Sequence, residues 1–86
     1  MHPVLVKPLP NNILQITFEN GEIGYFNIGP LMEFPVYQIL KNTLVFKKVS
    51  INNGIIGWLD GELDIAPSYF SNGSSLEIKS NLFENI

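Results

Sequence analysis

Short apolar runs separated by proline, glycine and asparagine organise this chain, and their period predicts its elements. Val4-Leu5-Val6-Lys7 reads as a first strand, closed by Pro8 and Pro10, which cannot donate to a ladder. Asn11-Asn12 marks a turn. Ile13 to Phe18 alternates, placing Leu14, Ile16 and Phe18 on one face of a second strand. Asn20-Gly21 follows, a pair suited to the positive backbone angles of a tight hairpin turn. Glu22 to Ile28 is the return strand.

The period then changes. Gly29-Pro30 breaks the strand, and Leu31-Met32-Glu33 predicts a helical turn with Pro30 at its first position. From Pro35 to Lys41, Val36, Ile39 and Leu40 recur at helical spacing and predict one apolar helix face. Asn42 fits a stop, or a cap for a second turn running to Phe46. Leu44 to Lys48 suits helix or strand equally. Val49-Ser50-Ile51 and Ile55-Ile56-Gly57-Trp58 predict two more strands, joined by the hairpin signal Asn52-Asn53-Gly54. Asp64 fits a cap for a short helical stretch near Pro67. Ser71 to Ser75 is a break, and Leu76 to Ile86 fits a final strand, a docked helix or disorder.

These elements predict an α+β fold: a small antiparallel sheet of two hairpins plus the N-terminal strand, packed on one or two short helices. An isolated hairpin is marginal, so both hairpins are expected to share one sheet around the Pro35–Phe46 segment. The 86 residues make one small domain, placed at 1–73, with a tail at 74–86.

Composition adjusts this picture. Hydrophobic residues make up 45% of the chain and charged residues only 15%, apolar for so small a domain. The surplus points to a buried partner surface, most simply a homodimer. No cysteine is present, which removes disulfides and thiolate chemistry. The amino end lacks the pattern of a signal peptide, and no segment approaches the roughly 20 apolar residues of a membrane span. A cytoplasmic setting is the expectation. Net charge is −3, with five lysines and no arginine, which argues against nucleic acid as a partner.

Candidate chemistry concentrates in Trp58-Leu59-Asp60-Gly61-Glu62-Leu63-Asp64-Ile65-Ala66-Pro67, which holds the single tryptophan and three of the eight carboxylates. If extended, Asp60, Glu62 and Asp64 share one side and could serve a hard cation or acid–base chemistry. A solvated turn with a helix cap explains them more simply. For a calcium loop Gly61 comes too early and the distant glutamate is missing. Trp58 fits a stacking platform or, more commonly, a core residue; Asp64 fits a cap or a base raised by burial. His2 is the lone histidine, so a histidine-based triad or metal cluster is not expected. No glycine-rich phosphate loop occurs, and no cofactor is implied.

With Phe18, Asn20-Gly21-Glu22, Tyr25-Phe26, Pro30-Leu31, Leu40, Phe46, Val49, Trp58, Gly61 and Asp64-Ile65-Ala66-Pro67 in this order, the chain resembles the small bacterial family called domain of unknown function 2442. Two features depart from the family's pattern. Asn27 stands where an aspartate is usual, and Phe70-Ser71 stands where the ending is usually Leu-Tyr, so no role resting on that aspartate or tyrosine carries over. The resemblance implies the α+β fold, a bacterial intracellular setting and no established activity. It also implies a partner in small two-gene modules of toxin–antitoxin type. The expectation is a non-enzymatic protein-interaction module, self-associating or paired with a small protein. Trp58, Asp60, Asp64 and Phe70 are its candidate binding residues. The alternative is a small-ligand or metal-ion sensor using the Trp58–Pro67 loop.

Overall fold

The computed structural model of the chain describes residues 2–71 and 77–78. Strand β1 (Pro3–Leu9) pairs antiparallel with β2 (Ile13–Phe18), and β2 with β3 (Ile23–Asn27). A 3-10 turn at Gly29–Glu33 leads into a longer 3-10 segment at Pro35–Lys41 and the single-turn helix α1 (Thr43–Phe46). Then come β4 (Ser50–Asn52), β5 (Ile55–Trp58), a 3-10 turn at Leu59–Gly61 and β6 (Leu63–Asp64). Helix α2 (Ser68–Ser71) follows, and β7 (Glu77–Ile78) pairs with β3.

The α+β class stands, with one change of architecture. The hairpins do not share a sheet: one sheet runs β1-β2-β3-β7 and the other β4-β5-β6. Each hairpin finds a third strand of its own, which relieves its marginal stability without a merger. For the second hairpin that strand is β6, which the alternating carboxylates concealed in the sequence; Gly57 pairs with Asp64 and Trp58 with Leu63. Residues 72–76 and 79–86 of the expected break and tail lie outside the described residues.

The turns follow from their residues. Asn53 and Gly54 both take positive φ, 53° and 78°, making a two-residue turn between the paired Asn52 and Ile55. At Asn20-Gly21 only Gly21 does, at 88°; its N–H donates to Phe18 O while Phe18 N–H donates to Glu22 O. The loop is therefore three residues long, with glycine at its left-handed position. Pro8 lies inside β1 rather than ending it, paired with Leu14. It is tolerated because β1 is an edge strand, where a missing donor can face outward.

Alternation in β2 sends Leu14 and Ile16 inward, where they meet Phe26 from β3. From the other sheet come Ile56, Trp58 and Leu63, followed by Ile65, and from the helical segment Met32, Leu40 and Phe46. Fully burying each such side chain is worth about 1.5–3 kcal/mol. Trp58 is wholly buried at 0% exposure; its Nε1–H donates to Phe46 O at 3.0 Å and its ring stacks near that of Phe46.

The helical segment departs from its predicted face. Leu40 is buried and Tyr37 half-buried, but Val36 and Ile39 are exposed. The cause is the period. With 3.0 residues per turn, positions 37 and 40 form one row and 36 and 39 another, so the row of Tyr37 and Leu40 takes the core. Asn42 both ends this segment and caps α1, its side chain accepting from Leu44 N–H.

Candidate functional site

The four residues singled out by the sequence do not converge. Trp58 has no exposed surface to offer a partner, because its indole N–H is already satisfied inside the core. Asp60 is exposed on a strained turn where Leu59, Asp60 and Gly61 all have positive φ, at 57°, 55° and 90°. Asp64 is in β6 and exposed, so it neither caps a helix nor has the burial that a base reading required. Because the Leu59–Gly61 turn interrupts the run, Asp60, Glu62 and Asp64 do not lie on one extended strand. Among the described residues, no group of three His, Cys, Asp or Glu side chains is placed to hold a metal ion.

Asp64 contributes through its backbone. Its carbonyl accepts a 2.7 Å hydrogen bond from Tyr37 Oη, tying the helical segment to the β6 strand. Desolvation, and secondarily the nearby Asp64 carboxylate, raise the Tyr37 hydroxyl above its ordinary 10.0. Tyr69 is raised too, by burial first and by the neighbouring Tyr37 second.

Phe70 occupies a more informative position. It is half-buried, edge-to-face with Phe26 at a centroid distance of 4.9 Å, and it lines a cavity of about 240 Å³ at the mouth between the two sheets. Phe18 contributes a third ring, edge-to-face with Phe26 at 6.3 Å. Gly24 makes room for this arrangement: a Cβ there would stand 2.7 Å from the Phe26 ring. Among the described residues, Glu22 is the one charged residue lining the cavity. A second hollow of about 320 Å³ lies between the β1–β2 turn and the helical segment, with Lys47 on its rim.

Four of the nine exposed large apolar side chains among the described residues fall between residues 34 and 44, a run missed in the sequence because helical spacing assigned Val36 and Ile39 to the core. Phe34, Val36, Ile39 and Leu44 are exposed to 58, 64, 45 and 72%. Glu33, Lys41, Lys47 and Lys48, all exposed, lie beside them in the chain. The three-residue period would have revealed the outward row, but Pro35 at the segment's start does not distinguish 3-10 from α geometry.

At Asn27, one of the two departures from the family's pattern, the side-chain Oδ1 accepts from Gly29 N–H at 2.8 Å and fixes the exit from β3. No helix among the described residues is long and apolar enough to cross a membrane. No curated protein and no solved structure matches the chain. The family described as protein of unknown function (DUF2442) matches residues 3–78, nearly the whole chain, and the chain belongs to it.

Proposed function

We propose that this chain is a non-enzymatic protein-interaction module of the bacterial cytoplasm, and that it self-associates through Phe34, Val36, Ile39 and Leu44. The observation that carries the reading is the exposure of these four large apolar side chains within one short stretch of chain. Isolated exposed apolar residues are ordinary, but a group rimmed by charges is the usual anatomy of an interface. The Val36–Ile39 row is held in place, because the adjacent row of the same 3-10 segment is anchored by Leu40 in the core and by Tyr37 on Asp64 O. A preorganised face loses little conformational freedom on binding. A second copy is the occupant of choice, since one apolar face satisfies both sides of a two-fold interface.

Sedimentation equilibrium at micromolar concentration tests this. The wild-type chain is expected to be a dimer, and Val36→Asp with Ile39→Asp a monomer with an unchanged far-UV circular dichroism spectrum. A monomeric wild type, or a dimer indifferent to the double substitution, overturns the reading. Co-purification of a neighbouring gene's product, lost with the same pair of substitutions, would instead make the face heterotypic and the chain the antitoxin-like member of a two-gene module.

A further inference from the structure

We infer that the cavity between the sheets is a binding site for a small organic ammonium compound with an apolar body. This goes beyond the association proposed above and uses a different face of the molecule. At about 240 Å³ the space exceeds the roughly 150 Å³ that holds benzene in an engineered core, yet falls short of drug-sized pockets of about 300–1,000 Å³. Its walls call for a hydrophobic guest: Phe18, Phe26 and Phe70 form a continuous edge-to-face series, faced by Ile56 and Ile65 from the second sheet's side.

The sign of the guest's charge comes from Glu22, the one charged residue among the described residues that line the cavity. Its carboxylate is oriented by the turn that precedes β3. Asn20 Nδ2 donates to Glu22 Oε1 at 3.0 Å, while Glu22 N–H donates back to Asn20 Oδ1 at 3.0 Å. This reciprocal pair ties the Glu22 side chain to the turn beside the cavity it lines. An ammonium group placed there meets an opposite charge. A carboxylate guest would meet repulsion at the same place. Two of the lining residues, Ile65 and Pro67, come from the run that began at Trp58, whereas Asp60 and Asp64 do not line the cavity.

Three probes of nearly equal shape test the assignment by two-dimensional 1H–15N NMR: 2-phenylethylammonium, neutral 2-phenylethanol and anionic 3-phenylpropanoate. The ammonium probe is expected to shift the amides of Gly24 and Gly54, which border the cavity, and to bind about tenfold more tightly than the anion. Glu22→Gln, in an exposed turn, is expected to abolish the preference for the ammonium over the alcohol. Phe70→Leu is expected to weaken all three probes. Absence of shifts at millimolar probe, shifts confined to other amides, equal binding of the anion, or a preference that survives Glu22→Gln would each overturn the inference. Because none of these readouts involves the Val36–Ile39 row, failure here is distinct from failure of the association.

Discussion

Trp58 is a single fluorescent reporter at the centre of the core, stacked near Phe46 and bonded to its carbonyl. Its emission is expected to be blue-shifted and insensitive to iodide, and Trp58→Phe to cost about 2 kcal/mol in urea denaturation through lost volume and a lost hydrogen bond. Emission near 350 nm with ready quenching would contradict the core assignment. Two glycines separate the reasons for which that residue is needed. At Gly57 an added Cβ would stand 2.5 Å from Leu63 O, a backbone atom across the β5–β6 ladder, so Gly57→Ala is expected to cost about 3 kcal/mol. At Gly21 space is open but φ is positive, and Gly21→Ala is expected to cost about 1 kcal/mol. Equal losses would refute this division. Asn20-Gly21 and Asn53-Gly54 were readable in the sequence because turn geometry is set by the residues themselves. The need for Gly57 was not, because it arises from a strand, β6, paired across a turn of unusual backbone angles.

The Pro35–Lys41 segment shows how the choice of helix type decides what a small domain exposes. Spacing of 36, 39 and 40 suits an α-helix, but a 3-10 segment puts Val36 and Ile39 outward and leaves Leu40 and Tyr37 to face the core. The boundary residues were readable, since Pro30, Pro35 and Asn42 act locally. The facing was not, since it depends on a hydrogen-bond pattern selected by packing. Tyr37 links this element to Asp64 O and gives it a pH dependence. Burial raises the hydroxyls of Tyr37 and Tyr69 above 10.0, so the folded state holds these protons more tightly than the unfolded one. Their contribution is therefore fully present below pH 10 and is lost as pH rises through the raised values. Urea midpoints measured from pH 8 to 11 are expected to hold steady and then fall at the alkaline end, with a smaller fall in Tyr37→Phe. A midpoint that rises above pH 10 would contradict the assigned direction.

In the molecule as a whole, the exposed apolar surface and the cavity lie on different elements. The sheet that carries Phe18, Gly24 and Phe26 supplies one wall of the cavity, while the segment after β3 supplies the association face. Membership of the family was readable because Phe18, Asn20-Gly21-Glu22, Trp58 and Asp64-Ile65-Ala66-Pro67 are sequence-local. The site was not, because Phe70 meets Phe26, and Phe26 meets Phe18, only where residues distant in the chain come together in the fold. The most direct test of the association is a dilution series followed by methyl NMR on the wild-type chain. The methyl signals of Val36, Ile39 and Leu44 are predicted to shift with concentration while those of the buried Leu14 and Ile16 stay fixed. Signals that are independent of concentration, or shifts confined to Leu5 and Ile23 on the strands, would contradict it.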